Sequence, residues 1–184
     1  MRKNFRNMIV TPLPVLILGT YDENGIPNAM NAAWGGQIDS DMVIVSLSRH
    51  KTTENLQLKK QLTISFATRK TVTAADYLGI ESGRGINKIE KAGLHAVKSS
   101  KVDAPLFEEF PLALECEVAK LEDDNEGYLL YARCINVSAD ESILTDGRVD
   151  LSKLEPIAFD SAANAYRVLG EKVGNAFSDG AALK

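Results

Sequence analysis

Four hydroxyls and two cations crowd into Ser46-Leu47-Ser48-Arg49-His50-Lys51-Thr52-Thr53. Such groups suit a phosphate: arginine and lysine bring charge, and serine and threonine bring hydrogen-bond donors. Residues 42–47 just before them have the pattern of a buried strand, and residues 53–60 after them read as a short helix. A helix that opens there leaves its first backbone N–H groups free, and its dipole favours an anion at that end. A plainer role is also open: Thr52 or Thr53 as N-cap, with Arg49 and Lys51 as solvated surface charges.

A second stretch, Asn28-Ala29-Met30-Asn31-Ala32-Ala33-Trp34-Gly35, combines small residues with two amides. Small side chains let a flat ligand lie close to backbone. Asn28 and Asn31 can each donate to and accept from polar ring edges. Trp34 is the only tryptophan, and filling the core is the commoner use of such a residue. Ser82-Gly83-Arg84-Gly85 lacks the spacing of a Walker or dinucleotide loop, so it reads as a mobile loop that covers a site. Lys88, just beyond, would face either an anion or solvent. The two histidines, His50 and His95, have no companion cluster of metal-ligand spacing. No nucleophile elbow or Cys-His signature is present, and the carboxylate runs sit in turns. Chemistry in such a chain would be borrowed from a cofactor.

The elements that must position these residues are mostly strands. Residues 15–21, 28–38 and 42–48 read as three strands joined by short turns, which predicts antiparallel pairing. Residues 61–68 alternate apolar and polar as a half-buried strand, residues 72–78 look helical, and 87–92 read as a helical turn ended by Gly93. Residues 112–122 and 128–137 form the clearest hairpin, which would place Cys116 across from Cys134. The spacing leaves open whether the two thiols pair or simply pack as small buried hydrophobes. Short strands with few helices point to a closed or partly closed β-barrel, and the strand-helix alternation of a Rossmann fold is missing.

The chain has 184 residues, a net charge of −4, 45% hydrophobic and 25% charged residues, which is an ordinary balance for one globular domain spanning 1–184. Its acidic balance argues against nucleic acid or an anionic membrane as partner. The cations near residue 50 are therefore a local island, better suited to a small anionic ligand. Prolines interrupt the apolar start of the chain, so it reads as strand rather than secretory signal, and a cytoplasmic protein is expected.

Taken together, the segments resemble the flavin reductase-like family of FMN-binding split barrels, and within it the flavoredoxin-like branch. The matching residues are Thr11-Pro12-Leu13-Pro14-Val15, Asp22-Glu23-Asn24-Gly25, 28–34, Val45-Ser46-Leu47 to Thr53, Asn55-Leu56, Asp76-Tyr77-Leu78-Gly79, Ser82-Gly83, 88–93 and Leu114-Glu115-Cys116. The resemblance implies a mainly β, Greek-key split barrel with a few short flanking helices, and a homodimer with flavin near the interface. It implies that Asn28, Ala29, Met30, Asn31, Ala32, Ala33 and Trp34 line the isoalloxazine. Ser46, Leu47, Ser48, Arg49, Lys51, Thr52 and Thr53 would hold the ribityl chain and phosphate, with Ser82, Gly83 and Lys88 on a nearby loop. Tyr166 and the tail to Phe177 would close the pocket. The implied activity is hydride transfer from NAD(P)H to FMN, with electrons passed on to a flavin, a metal complex or a protein acceptor. The alternative is an FMN-binding electron carrier or redox sensor without its own NAD(P)H turnover.

Overall fold

The computed structural model describes residues 2–6 and 10–184. Seven strands make its main sheet: β1 (Leu16–Tyr21), β2 (Pro27–Ala32), β3 (Gly35–Asp39), β4 (Met42–Ser48), β5 (Gln61–Phe66), β6 (Leu112–Asp123) and β7 (Gly127–Ala139). Their order is β2-β1-β5-β6-β7-β4-β3, and every neighbouring pair is antiparallel. β2 and β3 follow each other in the chain yet lie at opposite edges of the sheet. Only Ala33 and Trp34 join them. So short a link forces the sheet to curl until its edges meet at a seam; the Ser46 N–H donates to the Trp34 carbonyl (2.8 Å), which carries the β3–β4 pairing onto the link. The barrel is thus closed by the chain itself and not by a β2–β3 ladder: it is the Greek-key split barrel expected. The single extended segment expected over 28–38 is two strands broken at the seam.

Period-two patterning decides what each strand buries. In β1, Leu16 and Leu18 face the barrel interior with Val45, Leu47, Leu62, Ile64 and Leu130. Val15 and Ile17 face the other way, against Ala29, Ala75, Leu78, Ile89 and Phe107. β1 is therefore covered on both sides, which is why its sequence is almost continuously apolar. β4 is not: Val43, Val45 and Leu47 point inward, while Ser46 and Ser48 point out. The buried strand expected there is half-buried, and the outward serines are what it offers a ligand.

Three helices lie beside the seam: α1 (Lys51–Lys59), α2 (Val72–Ile80) and α3 (Lys88–Lys91). α1 opens two residues earlier than expected, with His50 as N-cap, and ends at Lys60 in the left-handed region (φ 55°). Asn87 caps α3 through its side chain, which accepts from the Glu90 N–H. A hairpin of β8 (Ile157–Asp160) and β9 (Ala165–Val168) pairs with Leu13–Pro14 and packs on the second core. Beyond it the chain is exposed, and Phe177 is bare to solvent. The tail expected to close a pocket as far as Phe177 does not do so within this one chain. Among the described residues, no helix is long and apolar enough to cross a membrane.

Candidate functional site

The seam opens into a cleft. Two adjoining cavities of about 370 and 240 Å³ share Met30, Asn31, His50, Gly79 and Ile80 as a common wall. Their combined size suits a cofactor-sized ligand. β2 forms the floor, the end of β4 and the start of α1 form one side, and α2 with the following loop forms the other.

The larger cavity is walled by aromatic rings. Trp34, Phe159 and Tyr166 follow one another along it, with ring centroids 6.1 Å apart at each step. Trp34 is 65% exposed, so it does not fill the core: the two-residue link across the seam holds it at the surface. Ala32, Ala33, Ser46 and Ser48 complete the wall. The Tyr166 hydroxyl donates to Asp76 Oδ1 (2.9 Å), which ties β9 to α2. Burial, then the Asp76 carboxylate, pushes that phenol up to about 12. Asn31 Nδ2 donates to the Ala75 carbonyl (2.9 Å), so this amide pins α2 to the edge strand β2.

The smaller cavity is polar and cationic. His50, Lys51, Thr52, Arg84 and Lys88 line it with Asn28, Ser82 and Gly83. The N–H groups of Lys51 and Thr52 are the first of α1 and have no partner within the helix. Lys51 Nζ lies 3.5 Å from Asp22, whose carboxyl is held low by the N–H groups of Ile26 and Asn24 and by Lys51. Arg84 pairs with Glu54 at the rim. Lys88 is buried and donates to the carbonyls of Leu78 (3.2 Å) and Glu81 (3.0 Å), closing the C-terminus of α2. Burial pulls its ammonium below the ordinary lysine value. Burial, with the charges of Lys88 and Arg84, likewise holds His50 below the ordinary histidine value. Glu81 shares this lining, and Asp22 and Glu54 pair with Lys51 and Arg84, so an anion would be held by individual cationic donors and the free N–H groups of α1.

Buried bonds set the shape of this end. Asn28 Nδ2 donates to Thr52 Oγ1 (2.8 Å), locking β2 to the first turn of α1. A Cβ at Gly83 would fall 2.2 Å from Asn28 Oδ1, so only glycine lets the loop settle onto that amide. Thr53 lies outside the cleft: its Oγ1 accepts from the His50 N–H (2.9 Å) and donates to the His50 carbonyl (2.8 Å), which is capping.

Most of the residues expected at a site converge here, with three corrections. Arg49 points away. Its guanidinium meets Asp123 (2.8 Å) and the Tyr128 hydroxyl (2.6 Å) and stacks on the Tyr128 ring at 4.7 Å. Its neighbours His50 and Lys51 take the cleft because α1 starts between them. Thr53 is spent on the cap. Ala29 is fully buried in the second core and lines neither cavity, whereas Leu47, 3% exposed, still borders the larger one beside Ser46 and Ser48. Sequence reasoning passed over His50, Arg84, Ile80, Phe159 and Asn164, all of which line the cavities. His50 carried a signal, since it lies inside the cationic stretch. Phe159 and Asn164 carried none, because the β8–β9 hairpin reaches the seam only in three dimensions.

A family model described as "Flavin reductase like domain" matches residues 8–153. Flavoredoxin of Desulfovibrio vulgaris (Miyazaki F) is 34% identical, with a TM-score of 0.93 over 98% of this chain and 100% of that one. Flavoredoxin from Methanosarcina acetivorans is 26% identical, with a TM-score of 0.89 over 100% and 99%. An FMN-binding protein from Thermus thermophilus, solved with 1-cyclohex-2-enone bound, shares the fold at 19% identity and a TM-score of 0.75 over 95% and 99%. The chain belongs to the flavin reductase-like family and has its split-barrel fold.

Proposed function

We propose that the cleft binds FMN and that the protein is an NAD(P)H-dependent oxidoreductase, passing electrons to a second flavin, a metal complex or a protein acceptor. The observation that carries this reading is the two-ended cleft: an aromatic-walled cavity continuous with a small one that carries cations. FMN has that polarity, with a planar ring at one end and a phosphate at the other. Family membership and the FMN-binding and flavoredoxin names of similar structures support the same reading.

The residues present fit the group. Trp34, Ala32, Ala33 and Met30 would face the ring, and Ser46 and Ser48 would serve its polar chain. His50, Lys51, Arg84 and the first N–H groups of α1 would hold the phosphate. Bound FMN would supply the hydride and electron chemistry. The chain itself supplies orientation, a partly dry wall, and fixed positive charge. We propose further that the protein is a homodimer. Exposed Trp34, Ile38, Val137 and Val173 would then be covered, and a partner would finish the open side of the cleft.

Titrating the protein with FMN and following visible absorbance tests the first part, and adding NADH and then NADPH without oxygen tests the second. A shifted spectrum that bleaches at catalytic rates is expected. A shifted spectrum without bleaching would replace the reductase with an electron carrier or sensor, and no shift would remove FMN. Light scattering after size exclusion gives the oligomeric state.

A further inference from the structure

Cys116 and Cys134 occupy directly opposed positions of β6 and β7. The backbone bonds show which kind of position it is. The Cys134 N–H donates to the Asp41 carbonyl (2.7 Å), on the β4 side of its strand. The Val118 N–H donates to the Lys60 carbonyl (2.9 Å), on the β5 side of β6, and Cys116, two residues earlier, is paired with Leu62 on that same side. Neither cysteine spends its backbone groups on the other. They are a non-hydrogen-bonded pair, the class in which opposed Cα atoms come closest, about 4.5 Å. That lies inside the Cα range of disulfides, roughly 4.4–6.8 Å. Both side chains point into the barrel: Cys116 is wholly buried in its core and Cys134 packs against it. Past Cys134 the register shifts; its thiol donates to the Asn136 carbonyl (3.3 Å), and the residue is half-buried where Cys116 is wholly buried.

We propose that Cys116 and Cys134 are a dithiol site that hydrogen peroxide converts to a reversible intrachain disulfide. The Cys134 thiolate attacks one peroxide oxygen, the O–O bond breaks, and hydroxide leaves with a sulfenic acid on Cys134. The Cys116 sulfur then attacks that sulfur. The S–O bond breaks, the Cys116 proton goes with the departing hydroxide as water, and the S–S bond forms. Two thiols are oxidised, and one peroxide is reduced to two waters. The order follows from access and charge. Burial, then the neighbouring Cys134, pushes the Cys116 thiol up, so it is the resolving partner and not the first to react. The site stands apart from the cleft and does not rest on the FMN reading.

The test treats the full-length protein with hydrogen peroxide, unfolds it in an alkylating agent, and weighs it under non-reducing conditions. The expected product has lost two hydrogen atoms, takes up no alkyl group, and regains both thiols with dithiothreitol. In Cys116→Ala, Cys134 should instead accumulate as a sulfenic acid that dimedone traps. In Cys134→Ala, Cys116 should stay reduced. Two alkylated thiols after peroxide, stable oxygen addition at Cys134 in the unsubstituted protein, a Cys134-linked dimer, or oxidation of Cys116 in Cys134→Ala would each overturn the proposal.

Discussion

Replacing Arg84 with alanine is the sharpest way to ask where the anion sits. The guanidinium lines the cationic cavity and is held at its rim by Glu54, with both side chains more than half exposed. A hydrogen bond to a charged group contributes about 1.5–3 kcal/mol. Engaging a phosphate would cost Arg84 its surface pair with Glu54, worth about 0.2–1 kcal/mol. The difference is about 0.5–2.8 kcal/mol, so Arg84→Ala should weaken FMN binding roughly 2- to 100-fold. The loss should shrink as salt rises, because the site is open to screening. Arg49→Ala is the paired control. Its guanidinium is occupied by Asp123 and Tyr128 outside the cleft, so affinity should stay within about twofold. Quenching of flavin fluorescence reads both constants. Riboflavin, which lacks the phosphate, should bind the Arg84 variant and the unsubstituted protein alike. If Arg49→Ala weakens FMN as much as Arg84→Ala does, or if riboflavin loses as much as FMN, the cationic cavity is not the phosphate site.

Three further outcomes are expected. The folded state depresses His50, so stability is fullest above the ordinary histidine pKa of about 6.5 and declines as pH falls below it; His50→Gln should remove that part of the slope in denaturant titrations from pH 7.5 to 5.5. A bound phosphate acts the other way and favours the charged ring, so the FMN affinity lost in His50→Gln should grow as pH falls. Gly83→Ala must displace Asn28 or the loop, and FMN affinity should drop about tenfold or more while the melting temperature moves little, since the loop lies outside both cores. Glu115 is buried, which alone would raise its carboxyl, but hydrogen bonds from Ser99, Asn136 and the N–H groups of Lys101 and Ser100 outweigh burial and hold it low. Its stabilisation is therefore present above about pH 4.3 and lost as pH falls further, and Glu115→Gln should cost about 1–3 kcal/mol at neutral pH and flatten that acid limb.

Much of the barrel was legible because period-two burial writes itself into residues 16–21, 61–66 and 112–137, where one or both faces are apolar. The cationic end was legible in part: Lys51 and Thr52 of the strand-to-helix junction line the cleft, while Thr53 caps the helix and Arg49 pairs with Asp123. What could not be read was a choice of one or two residues. Whether α1 opens at Thr53 or at Lys51 decides whether Arg49 or His50 looks into the cleft. That start is held by the reciprocal bonds between His50 and Thr53 and by the tertiary lock between Asn28 and Thr52, 24 positions apart in the chain. Trp34 was ambiguous for the same reason. A tryptophan in a strand fills a core, whereas one on a two-residue link between opposite sheet edges has no core to reach. The aromatic wall from β8 and β9 lies more than a hundred residues from the strand it faces, and no local pattern reports such a contact.

The seam explains why the cleft lies where it does. An open sheet has two edges of unpaired backbone groups, and a protein must cover or pair them. Here β2 and β3 are the edges, and the link between them is too short to let them lie side by side as a ladder. Part of the β2 edge is covered locally, where the Asn31 side-chain amide reaches across to the Ala75 carbonyl of α2. The rest lies at the floor of the cleft, beside Ala32 and Ala33, whose small side chains leave the backbone within reach. A flat ligand with hydrogen-bonding edges would complete what the barrel leaves unfinished. Filling that floor should therefore act on binding more than on folding. Ala33→Leu, at the seam, is expected to weaken FMN and riboflavin equally, by about tenfold or more, with a melting temperature shifted by only a few degrees. Equal losses for the two flavins would place the ring at the seam, just as unequal losses in Arg84→Ala would place the phosphate at the other end. Unchanged binding in Ala33→Leu would show that the flat end of the cleft is not where the ring lies.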